Sequence, residues 1–252
     1  MQKRNIKGFF DNILSEIFVD KYNCIVCDEE LEEPSRYGLC PTCKAKLTFI
    51  QDRICKKCGR LQLNEADYCD TCKAHKRVFE FARSCVVYDD AAMDTVRGIK
   101  FGGKKYFAKY MANFLVDRFK ETFDGVNIDV VVPVPITRKK KISRGFNQSW
   151  EIAKVFAKSL ELTADDKIIV KIKDTQEQAK LGGKEREENV IGAFEVKLPE
   201  KIADKNALII DDVMTTGSTA SEIAKTLKGA GAKEVYLLTF ASTRFKVDEP
   251  TD

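Results

Sequence analysis

The sequence has little of several residues that often mark a chemistry at sight. It contains one histidine, one tryptophan, six prolines and fourteen glycines in 252 residues. The lone His75 stands beside a cysteine-rich stretch, where an exposed linker residue is the plain expectation, so no histidine-centred acid–base site can be read. Sparse Pro and Gly, with 44% hydrophobic and 33% charged residues, describe a globular chain. No run approaches the ~18 apolar residues of a membrane span. The amphipathic run of residues 8–19 is broken by Asp11, Asn12 and Glu16, and no small-residue cleavage site follows it. A helix over residues 1–23 packed on the protein is therefore expected rather than a signal peptide, with a weak membrane-surface contact as the lesser alternative. A cytoplasmic location is expected. The length allows one ordinary domain and a small module.

A strong charge of either sign is also lacking overall, the formal net charge being +4. Locally the balance is uneven. Residues 97–144 hold twelve Lys/Arg against four Asp/Glu, a concentration that suits an anionic ligand. For any single lysine there, a solvated surface is the plainer explanation.

Cysteine is abundant in one place only. Eight of nine fall between Cys24 and Cys72 as four C-x-x-C pairs: Cys24/Cys27, Cys40/Cys43, Cys55/Cys58 and Cys69/Cys72. Each pair can point two thiolates at one ion, and two pairs complete a tetrahedral zinc site. Disulfides fit poorly in a reducing compartment, and redox chemistry would need one such motif at a strand–helix junction. Two structural Zn2+ sites are expected, sequential pairing being favoured over interleaving. A module of about 55 residues has too little core to fold unaided, so metal supplies its folding energy. We place this double zinc ribbon at residues 24–77; such modules contact nucleic acid or protein, and the sequence leaves both open. Cys85, in an apolar run, reads as a small buried hydrophobe.

Residues 78–252 alternate apolar strands with amphipathic helices. Strands are expected at 84–88, 128–133, 167–172, 207–211 and 234–240, and helices through Met93 and Ile99, over 107–119, over 147–160 and from Thr219 to about Ala230. The pattern implies an α/β domain, a parallel sheet flanked by helices. Ligands of such sheets sit outside the carboxyl ends of the strands.

One strand runs into Asp211-Asp212-Val213-Met214-Thr215-Thr216-Gly217-Ser218-Thr219, and a helix opens at once. A helix start with hydroxyl side chains holds phosphate, Gly217 lets backbone approach it, and carboxylates accept hydrogen bonds from vicinal ribose hydroxyls. A helix cap with an acidic first turn explains these residues singly but not the whole run. The run resembles the 5-phosphoribosyl-1-pyrophosphate (PRPP) signature of type I phosphoribosyltransferases. That resemblance implies that Asp211 and Asp212 hold the ribose hydroxyls and that Thr215, Thr216, Gly217, Ser218 and Thr219 wrap the 5′-phosphate, with Val213 between, and Mg2+ accompanying PRPP. A G-x-x-x-x-G-K match at 98–104 is rejected as a P-loop, because Lys105 replaces Ser/Thr and no strand leads in.

A second strand end, Pro133-Val134-Pro135, leads into five basic residues within seven positions, 138–144. Arg138 and Arg144 offer forked donors to a pyrophosphate. The next residues, Arg144-Gly145-Phe146-Asn147-Gln148, resemble the hallmark of the ComF family (ComFC-like competence proteins). Further family-like stretches are Ile99 to Lys104, which adds Lys100 and Lys104 to the anion loop, and Thr175, Gln178, Leu181, Arg186, Asn189, Gly192, Ala193 and Phe194. The resemblance implies natural transformation, with single-stranded DNA and a helicase-type DNA-uptake protein as partners. An amidophosphoribosyltransferase label does not fit, because the chain lacks that enzyme's N-terminal catalytic cysteine and glutaminase domain. Three functions stay open: phosphoribosyl transfer to an unknown acceptor, PRPP or nucleotide sensing without turnover, and a zinc-ribbon nucleic-acid adaptor. No catalytic residue is assigned.

Overall fold

The computed structural model describes residues 22–101 (side chains to residue 97), 108–174 and 189–244. The helix expected over residues 1–23 falls outside these residues except for Tyr22–Asn23, which form the short strand β1 paired with β2, Glu30–Leu31. Two short helices, α1 (Pro41–Ala45) and α2 (Asp70–Ala74), each hold one cysteine of a cluster's second C-x-x-C pair, Cys43 and Cys72, and begin after the other, the cap residues Cys40 and Cys69.

The main sheet is built from β3 (Ala82–Val87), β4 (Val130–Pro133), β7 (Asn206–Met214) and β8 (Glu234–Ser242) in the order β3-β8-β7-β4, all parallel. Its helices are α3 (Asp90–Phe101), α4 (Ala108–Thr122), α5 (Arg138–Arg144), α6 (Gln148–Ser159) and α7 (Ser218–Gly229). Alternation along the strands divides the core between two faces. Leu208, Ile210, Leu238 and Phe240 pack with Met111, Leu115, Ile152 and Phe156 of α4 and α6. Ala207, Ile209, Val235 and Leu237 pack with Ile223, Ala224 and Leu227 of α7. Each large apolar side chain buried this way contributes roughly 1.5–3 kcal/mol. Among the described residues no helix is long and apolar enough to cross a membrane.

One expected strand behaves differently. Of residues 167–172 only Ile169–Lys171 (β5) forms, and it pairs antiparallel with Phe194–Val196 (β6) outside the main sheet. An apolar period shows a strand without showing its direction or partner.

The cysteine-rich module is not a bead on a string. Cys24, Cys40 and Cys43 belong to the α4/α6 core, whereas Cys55, Cys58 and Cys69 belong to the α7 core. Between the two clusters, residues 48–50 run antiparallel to β3: Ile50 N donates to Cys85 O at 2.9 Å, and Val87 N to Thr48 O at 2.8 Å. The edge strand of the sheet is thereby covered. Tyr37 stacks on Phe114 at 4.3 Å and donates to Asp117 Oδ2 at 2.5 Å, which fastens the first cluster to α4. Cys85 is buried as expected, its thiol pushed up by desolvation.

Candidate functional site

The strand expected over 207–211 does not stop at Asp211. β7 continues through Asp211 and Asp212 to Met214, because Asp211, Val213 and Met214 stay in register with Thr239, Ala241 and Ser242 of β8. The loop shrinks to Thr215-Thr216-Gly217 before α7 opens at Ser218. Gly217 has φ +79°, and a Cβ there would meet only Met214 Sδ at 3.6 Å and the Phe79 ring at 3.9 Å. The left-handed backbone, rather than lack of space, is what calls for glycine. Gly217 brings no side-chain acceptor to the helix cap, which leaves the α7 N-terminus suited to an anion. Thr216 Oγ1 lies 2.7 Å from Ser218 Oγ and accepts from Ser218 N at 3.3 Å. The Thr215 carbonyl accepts from Thr243 Oγ1 at 3.2 Å and from Arg60 Nη2.

The acidic pair is organised. Asp211 Oδ1 accepts from Ser149 Oγ at 2.8 Å and from Asp212 N at 2.9 Å, and Val213 N donates to Asp212 Oδ1 at 2.8 Å. Burial first, and the Asp212 charge second, push the Asp211 carboxyl up to about 8. Ser149 opens the buried face of α6 directly after the Arg144–Gln148 run. Within that run Gly145 caps α5 at φ +79°, and Asn147 Nδ2 donates to Val134 O at 3.0 Å, so the Pro133–Pro135 turn and α6 are tied together. The Gln148 amide is buried, with neither Oε1 nor Nε2 partnered among the described residues.

Arg138 and Arg144 lie at the two ends of α5, capped by Thr137, and not in a loop; both are exposed, as are Lys139 and Lys141. Lys140 shares its surroundings with Lys171 of β5. Burial and then Lys140 hold the Lys171 ammonium below its ordinary value, against the weaker pull of Asp174 and Asp211. Cations from α5 and β5 and the carboxylates of β7 thus share one neighbourhood. The Lys100 and Lys104 side chains lie outside the described residues, as do Lys105, Thr175, Gln178, Leu181 and Arg186. Gly192 N donates to Glu222 Oε1 at 2.8 Å, which ties the β5–β6 hairpin to α7.

The cysteines gather sequentially, Cys24, Cys27, Cys40 and Cys43 in one cluster and Cys55, Cys58, Cys69 and Cys72 in the other, the sulfurs of each within 4.8 Å of one another. Cys27 and Cys40 stand 3.8 Å apart, and Cys58 and Cys69 3.7 Å apart. A tetrahedron with Zn–S bonds of ~2.3 Å has edges of about 3.8 Å, so the donor sets fit zinc. Cys55 is driven far down by the S–H donors of Cys58, Cys69 and Cys72, while Cys58 and Cys72 are pushed up by Cys55, because four crowded thiols cannot all ionise without a cation among them. All-cysteine sets leave no open position, which makes these sites structural.

A family model described as the phosphoribosyl transferase domain matches residues 107–251, and one described as a double zinc ribbon domain matches residues 16–73. The chain belongs to the phosphoribosyl transferase domain family. Its resemblance to the ComF proteins holds over most of its length. It is 25% identical to Competence protein F of Haemophilus influenzae, over 86% of this chain and 95% of the relative. It is 27% identical to Competence protein ComFC of Bacillus subtilis, over 84% and 91%. It is 27% identical to DNA utilization protein YhgH of Escherichia coli, over 80% and 90%. A solved adenine phosphoribosyltransferase from Leishmania tarentolae overlaps 70% of this chain and 89% of its own at 12% identity and a TM-score of 0.36.

Four residues at this site were not found from the sequence: Ser149, Lys171, Thr243 and Arg60. Ser149 could have been noticed as the position after the Arg144–Gln148 run, and Arg60 as the residue after the Cys55–Gly59 knuckle. Lys171 and Thr243 come from distant elements, with no motif around them.

Proposed function

We propose that the chain is a PRPP-binding protein of DNA uptake that transfers the phosphoribosyl group to an acceptor in the cytosol. The observation that carries the reading is the cradle: an acidic pair at a strand end, a three-residue loop and a helix start whose cap residue, Gly217, brings no side-chain acceptor, within reach of a basic helix. A phosphoribosyl ligand laid over it puts the 5′-phosphate on residues 215–219 and the ribose hydroxyls on Asp211 and Asp212. The pyrophosphate then faces Arg138 and Arg144. Mg2+ fits as a companion of the substrate, since it binds through one or two carboxylates plus phosphate oxygens, and it neutralises the pyrophosphate when bound. In the transfer, the bond from C1 to pyrophosphate breaks, a bond from C1 to the acceptor forms, and the acceptor loses a proton. The chain's own part is to position the groups and to neutralise charge.

The names of the relatives, competence and DNA utilization, support the DNA side of this reading. So does the exposed cationic face of α5, which offers a phosphate backbone several contacts. A helicase-type uptake protein is the partner class this role implies. The test incubates labelled PRPP and Mg2+ with the full chain and candidate acceptors, namely bases, nucleosides and single-stranded DNA. Pyrophosphate release with one acceptor supports transfer; tight PRPP binding without release replaces transfer by sensing; no PRPP binding removes both.

A further inference from the structure

The second cysteine cluster reaches the phosphate loop through one side chain. Arg60 follows Cys58 by two positions and is 6% exposed. Its backbone is fixed at both ends of the knuckle. Arg60 O accepts from Cys55 N at 2.9 Å. The preceding Gly59 has φ +68°, and a Cβ on it would stand 2.3 Å from Ala82 O, so the turn lies directly on the backbone of β3. Lys57 O accepts from Ala82 N at 2.8 Å on the same side. From this fixed base the guanidinium donates through Nη2 to the carbonyl of Thr215, the first residue of the loop. The Arg60 Nε–H is buried and has no acceptor among the described residues, and no carboxylate pairs with this arginine among them.

Two consequences follow from elementary geometry and charge. In a planar trans peptide the C=O and the following N–H point in opposite directions. With Thr215 O held toward Arg60 and Thr243, the Thr216 N–H is turned to the other side, where it has no acceptor among the described residues. A phosphate over the α7 N-terminus finds that donor already oriented. Moreover, a buried guanidinium without a carboxylate partner keeps its charge available to the field of the loop, which favours an anion there.

We propose that Arg60 is a positioning residue of the phosphate loop, delivered by the second cysteine knuckle, and that affinity for a phosphate monoester depends on it. The inference deepens the PRPP reading and rests on it. It assigns the second cluster a part in ligand binding that the first cluster, docked on α4 and away from the loop, does not share.

The test uses the full zinc-loaded chain and two probes, ribose 5-phosphate for the loop and magnesium pyrophosphate for the basic helix. Arg60→Ala is expected to weaken ribose 5-phosphate at least about tenfold, the scale of one charge-assisted hydrogen bond, while pyrophosphate binding changes less than about twofold. Arg60→Lys, or guanidinium ion added to Arg60→Ala, is expected to restore part of the loss. Thr243→Val, which removes the other donor to the same carbonyl without touching the knuckle, should give the same ligand-selective loss, and it decides the matter if Arg60→Ala does not fold. Equal affinity for ribose 5-phosphate in wild type and variants overturns the inference and leaves the PRPP reading standing. Equal losses for both probes overturn it in favour of a general packing role. A wild-type chain that binds no ribose 5-phosphate overturns the inference together with the reading beneath it.

Discussion

Ser149 Oγ donates a 2.8 Å hydrogen bond to Asp211 Oδ1, joining the first turn of α6 to the acidic pair at the end of β7. The bond opposes the burial that pushes Asp211 up, since it favours the ionised carboxyl. Two segments far apart in sequence, each recognisable alone, are thereby made one site.

Ser149→Ala therefore raises the pH at which Asp211 ionises. The affinity for PRPP with Mg2+ is expected to fall near neutral pH, and its pH profile to move about one unit to the alkaline side, the scale of one hydrogen bond to a charged group. Calorimetric titrations over about pH 6–9 check this; an unmoved profile would leave Ser149 a packing role only.

Asp211 also couples stability to pH. Its ordinary value is 3.8, and in the fold it is raised to about 8. The favourable contribution of the protonated carboxyl is complete below the ordinary value, declines as pH rises through the interval, and has gone above about 8. Asp211→Asn removes this dependence, so the variant should melt above wild type at about pH 8.5, with the gap closing toward pH 4. Together with Asp212→Asn it should lower PRPP affinity at least about tenfold through lost ribose contacts. Thermal melts parallel at every pH would refute the linkage, and unchanged affinity would reduce the pair to a structural turn.

The cysteine clusters should hold about two zinc ions per chain, measurable by elemental analysis of reduced protein. The sequence pattern suggests a module that unfolds alone, but the cysteines sit in both cores and residues 48–50 cover the edge of β3. Chelation is therefore expected to lower the melting temperature of the whole chain in one transition. Losing even about 5 kcal/mol of metal binding corresponds to ~10–20 °C in a chain of this size. A sheet domain that melts unchanged after chelation would contradict the shared core.

The exposed face of α5 makes a salt test of DNA binding. Lys139→Ala with Lys141→Ala should weaken binding to single-stranded oligonucleotides and flatten the log–log salt slope by about 1.4, at ~0.7 per phosphate contact. Fluorescence anisotropy at several salt concentrations measures both, with zinc content as the control. A slope identical to wild type would move the DNA contact off α5.

What could be read from the sequence was what is local. The cysteine pairs declare their ligands by a spacing of three, and Asp211–Thr219 concentrates strand end, loop and helix start in nine consecutive positions. Long-range geometry stayed hidden. Polar Asp211 and Asp212 look like a strand's end, yet pairing with β8 carries β7 on to Met214. Residues 138–144 look like a basic loop, yet Thr137 and Gly145 cap them into a helix. The Arg60–Thr215 contact joins residues 155 positions apart, and nothing in either neighbourhood forecasts the other. Side-chain reach across a folded core is decided by topology, and periodicity does not encode it.

The edge strand β3 has its antiparallel neighbour in residues 48–50 and its parallel neighbour in β8, near the other end of the described chain. During synthesis the cysteine knuckles emerge first and can capture metal at once, but β3 waits for Glu234–Ser242 before its second side is paired. The chain therefore has a high contact order at its metal-binding end, where closure of a very long loop must precede the reward. Until β8 is made, the surfaces that Cys24, Cys40, Cys55 and Cys58 share with the sheet stay open to water. A fragment ending before Glu234 is therefore expected to present zinc ribbons without the platform on which they are built, since β8 is the strand that pairs the inner side of β3.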